Sequence, residues 1–315
     1  MKYSFNTVNF LCLLVLSTST HSAKSGDTVS FDLEPKLVSG DDSSDYAVGI
    51  SYSAQYESGL QSLEDIRRGL DLYGNVKSEG TVLSDHELNS ENLYLEGKLG
   101  FRYQSGENRV TSDFSEFQPD QANSMVAEQQ NFRPFFHAAG LLRYESDQTF
   151  DNQNLVIGPS FYSTNTATDN LLTAFYPFWG VSLTWVDIIK SKELKERGID
   201  QENYWRLQTE LEWDFQLGDY FESSLPDWAT GLGFIPRVVY SLNHDLPDGA
   251  KAIGFDENFY FSGTIYAELE ERSIRLGEMP LQLDMVYFRT ITGAIAPGGE
   301  DDLRFEIGVV VNFVR

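Results

Sequence analysis

Residues 204–217 read YWRLQTELEWDFQL, and taking every second residue divides them in two. Trp205, Leu207, Thr209, Leu211, Trp213, Phe215 and Leu217 form one set. Tyr204, Arg206, Gln208, Glu210, Glu212, Asp214 and Gln216 form the other. Side chains of a β-strand alternate between faces, so this stretch presents one apolar wall and one wall of charges and amides. A helix would place Glu210 and Asp214 one turn apart beside Trp213 and smear the charge around its cylinder. At about 3.3 Å per residue, Trp205 and Phe215 lie roughly 33 Å apart along a strand, or about 25 Å along a bilayer normal at a tilt of about 40°. That matches the height of a lipid-facing apolar band with an aromatic residue near each rim. The stretch predicts a transmembrane β-strand.

The same alternation recurs on both sides of it. Segments 28–38 and 46–56 read as strands, the first with Val29, Phe31 and Leu33 on one face. Segment 70–79 is weaker, and 92–104 is strong, with Leu93, Leu95, Leu99, Phe101 and Tyr103 opposing Tyr94, Glu96, Lys98 and Arg102. Segments 133–144 and 154–164 follow, weakened by Pro134 and Pro159, since proline cannot donate to a sheet ladder. In 175–187, Trp179, Val181, Leu183 and Trp185 oppose Phe178, Gly180, Ser182 and Thr184. A charged connection over 190–197 leads into the opening stretch. Segments 231–243, 258–270, 281–290 and 303–315 complete the set; in 281–290, Leu283, Met285 and Tyr287 share the apolar face. The expected fold is all-β, a transmembrane antiparallel barrel of about twelve strands, with ten as the alternative, since bacterial single-chain barrels use even numbers.

Two segments break the pattern. Residues 59–72 follow a helical period through Leu60, Leu63, Ile66, Arg67 and Leu70, which predicts a short helix in a loop or in the lumen. Residues 106–131 are polar and aperiodic, and read as a long exposed, extracellular loop.

A soluble β-sandwich also shows one-sided alternation. Strands of about 11 to 14 residues exceed the usual five or six, and charges of both signs sit at mid-strand on the polar faces. Those faces meet water or one another, which favours the barrel. Hydrophobic residues make up 41% of the 315, with no apolar run of the roughly 20 residues a membrane helix requires.

Lys2, the apolar run from Phe10 to Leu16 and the small residues ending at Ala23 have the layout of a secretory signal peptide, giving a leader over 1–23 and a barrel domain over 24–315. Cys12 lies in the leader, so no disulfide is expected in the exported chain. The net charge of −25 becomes −26 without Lys2 and argues against nucleic acid as a partner.

The final segment alternates Leu303, Phe305, Ile307, Val309, Val311 and Phe313 against Arg304, Glu306, Gly308 and Asn312. A closing strand of this kind resembles the C-terminal signal by which outer-membrane barrels are recognised for insertion, although Val314 and Arg315 follow the aromatic residue. With the leader and a barrel filling the remainder, the chain resembles the solitary outer-membrane autotransporter-like β-barrel proteins of Gram-negative bacteria. The resemblance implies residence in the bacterial outer membrane, contact with outer-membrane lipid and lipopolysaccharide, and delivery by the barrel-assembly machinery through the C-terminal strand. Autotransporters proper carry a passenger domain before the barrel, and the first strand here starts almost at the expected cleavage site.

The candidate lumen-lining residues are Glu96, Lys98, Arg102, Arg206, Glu210, Glu212, Asp214, Arg237, Glu268, Glu270, Arg304 and Glu306. They form either a charged constriction selecting ions or small solutes, or a network that pairs across a narrow lumen and plugs it. The candidate membrane-girdle aromatics are Trp179, Trp185, Trp205, Trp213, Phe215, Phe305 and Phe313. Ser241 and His244, beside Asn243 and Asp245, are the one combination from which a lipid hydrolase could be built, and no hydrolase motif surrounds them. No metal-ligand spacing stands out; Asp41, Asp42 and Asp45, or Glu300, Asp301 and Asp302, read as solvated turn acids. No cofactor is expected and catalysis is not. The functions in view are a channel or structural barrel, with an adhesion module acting through long loops as the alternative.

Overall fold

The computed structural model describes residues 28–40, 46–59, 70–85, 93–104, 134–165, 176–217, 231–276, 279–293 and 303–313. The strands are β1 (Thr28–Ser39), β2 (Tyr46–Gly59), β3 (Leu70–Leu83), β4 (Leu93–Gln104), β5 (Pro134–Ser146), β6 (Asn152–Asn165) and β7 (Phe178–Ser191). They continue as β8 (Tyr204–Glu212), β9 (Phe215–Gln216), β10 (Leu232–His244), β11 (Glu257–Leu276), β12 (Met279–Gly293) and β13 (Arg304–Phe313). Helices α1 (Lys192–Glu196) and α2 (Asp248–Lys251) interrupt two of the connections.

Each strand pairs antiparallel with its neighbours in the chain, and β13 pairs with β1 from Asp32 opposite Asn312 to Ser39 opposite Phe305. The sheet therefore closes and leaves no edge. β9 pairs with β10 in the register that β8 had established, so β8 and β9 form one stave. The protein is a closed antiparallel barrel of twelve staves. One end, the terminal end, carries Thr28, Phe313 and the β4–β5 connection; the other, the helical end, carries α1 and α2.

The outer surface is apolar: Leu99 is 64% exposed and Ile307 58%, with Val48, Ile50, Phe101, Ile157 and Ile265 beside them in kind. A sandwich would bury these side chains. Trp185 and Trp205 stand opposite each other on β7 and β8 with ring centroids 5.2 Å apart, near the helical end. Trp179 lies toward the terminal end, 6.5 Å from the Phe136 ring. Phe305 stacks on Phe288 at 6.1 Å, and Phe215 opposes Phe234 across β9 and β10. Trp213 sits between β8 and β9, its backbone N–H bonded to Pro236 O. Phe313 is placed by its backbone alone, opposite Leu281.

Pro159 does not end its strand. The β6–β7 ladder runs from Ile157 opposite Trp185 to Ser160 opposite Ser182, skipping Gly158 and Pro159 without loss of register. The prediction for Met285 and Tyr287 is corrected: both lie beyond a change of parity, Met285 opposite Val310 and the inward Glu268. A bulge between Leu283 and Met285 inserts a residue into β12, and the parity of the strand flips beyond it. Tyr287 consequently faces inward, 4% exposed, over Gly308 of β13. Of segment 59–72, residues 60–69 lie outside the described residues and 70–72 open β3. The leader, the 106–131 loop, Asp41, Asp42, Asp45, Glu300, Asp301 and Asp302 also lie outside them. Among the described residues, no helix is long and apolar enough to cross a membrane.

The principal apolar core sits inside the barrel at the helical end. Leu141, Val156, Val186 and Tyr204 point in from the wall to meet Leu194 of α1, Ala250 of α2, and Leu246 and Phe255 of the β10–β11 connection. Ser191 caps α1 by accepting the Leu194 N–H at 3.3 Å, and Gly198, at φ +69°, turns the chain out after the helix. Burying a side chain such as Leu194 or Phe255 contributes about 1.5–3 kcal/mol each, enough to hold five- and four-residue helices that would not form alone.

Candidate functional site

The inward faces form layers. Next to the apolar core at the helical end lies a belt of ion pairs. Glu145 accepts from Arg206 Nη1 through both carboxylate oxygens at 3.0 Å, and from Arg143 Nη1 at 3.3 Å. Arg143 Nε donates to Glu96 Oε2 at 2.7 Å, and Lys98 Nζ lies 2.6 Å from Glu96 Oε1. Arg206 Nη2 donates to Tyr204 Oη at 2.8 Å. Because Arg206 belongs to β8 and Glu145 to β5, this chain of contacts spans the inner face past the intervening β6 and β7.

On the other wall, Lys36 Nζ donates to Glu306 Oε1 at 3.1 Å, Arg289 Nη1 to Glu306 Oε2 at 3.4 Å, and Arg289 Nη2 lies 3.7 Å from Glu34. Arg237 Nε bonds Glu210 Oε1 at 2.7 Å, with Glu212 at 3.6 Å. Arg304, 3% exposed, lies between Lys36 and the helical end on β13.

Toward the terminal end the wall turns aromatic. His137 stacks on Tyr162 at 4.1 Å with 10° between the rings, and Tyr73 meets His137 edge-on at 5.6 Å. Tyr73 Oη and Tyr162 Oη are 3.0 Å apart, a second contact that spans two staves, from β3 to β6. Arg102 Nη1 donates to Glu57 Oε1 at 3.0 Å, Tyr266 Oη to Asp214 Oδ1 at 2.7 Å, and Gln216 Nε2 to Glu268 Oε2 at 2.9 Å.

The residues expected to line the lumen thus divide. Glu96, Lys98, Arg206, Glu210, Glu212, Arg237, Arg304 and Glu306 lie in or beside the belt. Arg102, Asp214 and Glu268 lie toward the terminal end. Glu270 is placed by its backbone in β11, and its side chain is outside the described set. Absent from the sequence-based list are Glu34, Lys36, Arg143, Glu145 and Arg289, with the rings of Tyr73, His137 and Tyr162. Strand parity could have found Glu34 and Lys36, which alternate with Leu33 and Pro35.

Between belt and aromatic wall lies a cavity of about 300 Å³, lined on the β2–β8 side by groups that include Gln55, Asn75, Lys77, Lys98, Tyr162, Phe178, Gly180, Ser182, Gln208 and Glu210. Ser241 and His244 do not form a dyad. Ser241, 2% exposed, faces inward on β10, and His244, three residues on, is exposed on the outer face opposite Trp205. Among the described residues no group of histidines, cysteines and carboxylates could hold a metal ion.

At the helical end, Asp151 receives hydrogen bonds from Lys190 and Lys192, both at 3.2 Å. These hold its carboxyl below the usual carboxylate range and raise Lys192. Partial burial raises Glu193 on α1.

No family model matches the chain, and no curated protein does. Among solved structures it is similar to the translocator domain of the autotransporter NalP from Neisseria meningitidis, at 9% identity and a TM-score of 0.33, covering 99% of this chain and 96% of that one. It is similar to the NanC porin at 7% identity and a TM-score of 0.38, over 90% of this chain and all of that one. Pseudomonas putida OprB matches at 6% identity and a TM-score of 0.34, over 91% and 94% of the two chains.

Proposed function

We propose that the chain is an outer-membrane β-barrel that passes small ions and solutes through a narrow, charge-lined lumen. On this reading its apolar band contacts outer-membrane lipid and lipopolysaccharide, β13 is the strand presented to the barrel-assembly machinery, and the protein conducts rather than catalyses. The observation that carries the reading is the cavity of about 300 Å³ inside a closed wall, bordered by a belt of ion pairs instead of a continuous apolar core. Polar groups lining the inside of a barrel support a water-filled path, and the apolar core at the helical end supports a small bore rather than an open pore.

Single-channel recording of the refolded protein in a planar bilayer tests it. Small steps are expected, with an ion preference that moves away from cations when Glu210→Gln and Glu212→Gln are combined, because both carboxylates flank Arg237 beside the cavity. A silent bilayer from folded, heat-modifiable protein refutes the conducting role.

A further inference from the structure

The cavity in the lumen has a chemistry that narrows what it accepts. Its charged lining groups are Glu57, Lys77, Glu96, Lys98, Arg143 and Glu210, three of each sign, so the net charge of the wall is zero. Each already has an opposite partner: Glu57 has Arg102, Lys77 has Glu79, Glu96 has both Lys98 and Arg143, and Glu210 has Arg237. A charged guest would have to break one of these pairs and desolvate the released ion, which costs more than the new contact returns.

The neutral lining groups are in a different state. The side chains of Gln55, Asn75, Ser182 and Gln208 make no hydrogen bond to any described residue. Amide and hydroxyl groups each donate and accept, so the four offer paired donors and acceptors to a guest. Beside them the rings of Tyr162 and Phe178, 6.1 Å apart, supply an apolar face. Gly180 keeps that corner open: a Cβ there would stand 3.6 Å from the Phe178 ring and 3.7 Å from Tyr162 Cβ.

We infer that this cavity binds a neutral polyhydroxylated small molecule, of about the size of one sugar ring. Alternating hydroxyls match the amides, the C–H face of a ring lies against the aromatics, and no ion pair is disturbed. A volume of about 300 Å³ is at the small end of ligand pockets. The inference deepens the conducting role proposed above by naming the solute class of the same site.

Calorimetric titration of the refolded full-length protein, in a detergent without a sugar headgroup, tests it with D-glucose, glycine betaine and sodium phosphate as probes. Saturable heat is expected from glucose alone, with an affinity unchanged between low and high salt. Gln208→Leu, which removes an amide while keeping its bulk, lowers that affinity about tenfold. Gly180→Val, which fills the cavity without touching a hydrogen bond, lowers it at least as much. Both variants are checked for the heat-modifiable band of a folded barrel. Binding of betaine or phosphate in preference to glucose, no heat from any probe, or glucose heat that both folded variants retain overturns the inference. Because the titration needs no membrane, conduction without glucose binding sinks only the inference. A silent bilayer with glucose binding sinks only the conducting role.

Discussion

Breaking the belt at Glu145 should destabilise the barrel strongly. Its two oxygens accept from Arg206 at 3.0 Å, and the side chains of Glu145 and Arg206 are 6% and 5% exposed. At an effective dielectric of about 20, unit charges 3.0 Å apart attract by about 5.5 kcal/mol, most of it offset by the desolvation of both ions. The pair as a whole is therefore nearly neutral for stability. Removing one member is not. Glu145→Leu leaves Arg206 with the Tyr204 hydroxyl, and leaves Arg143 to Glu96, so a buried guanidinium loses its counter-ion. The expected loss is about 3–5 kcal/mol. Arg206→Met should cost a similar amount, while the double variant recovers most of the loss, because neither buried charge is then left alone. Equilibrium urea unfolding from detergent micelles, followed by tryptophan fluorescence on all four corners of the cycle, measures this. A single-variant cost below about 1 kcal/mol, or a double variant whose cost is the sum of the singles, refutes the belt as a coupled structural element.

Gly308→Val should destabilise by about 1–3 kcal/mol, since a Cβ there would enter the Tyr287 ring; a urea midpoint shift relieved by adding Tyr287→Ala checks the cause. The folded-state pKa of Asp151 is lowered, so its contribution to stability is present above the unfolded value near 3.8 and is lost as pH falls through the lower folded value. Lys192→Ala should raise the Asp151 pKa back toward the ordinary range, seen in an NMR titration of its carboxyl carbon, with little effect on stability because the pair is solvent-screened. Even-strand closure places Gln104 and Pro134 at the same end as Thr28 and Phe313, so a cysteine at Gln104 in a Cys12→Ser background should share the labelling side of one at Thr28 and oppose one at Lys195. Labelling of all three from one side of intact outer membranes contradicts the topology.

The outer wall was legible in the sequence because a single rule governs it. Every outward-facing position of the wall meets the same surroundings, so Trp205, Leu207 and Leu211 announce themselves by spacing alone. Where that rule is diluted, the strand is harder to read. β3 runs to Leu83 although the alternation fades near Glu79, since Gly74, Ser78 and Gly80 occupy its outer positions. β5 carries Leu141 and Leu142 side by side because Leu141 is claimed by the interior core, and that masks the parity by which Arg143 and Glu145 would have been assigned to the lumen. Tyr287 is apolar enough to pass for an outer residue, and only the bulge before it, a feature of pairing with β13 rather than of composition, turns it inward.

The inner wall obeys no such rule, because each of its positions answers to a partner brought there by closure. Glu145 and Arg206 are 61 residues apart, and Tyr73 and Tyr162 are 89 apart. The connection over 190–197 is rich in charge, yet Leu194 within it is 1% exposed, because α1 packs against Val186 and Tyr204 in the core at the helical end. The same closure separates the lumen from the chain's bulk charge. The whole chain carries a net charge of −25, but around the cavity the signs balance and every charge is paired, which leaves amides, hydroxyls and aromatic rings to discriminate among solutes.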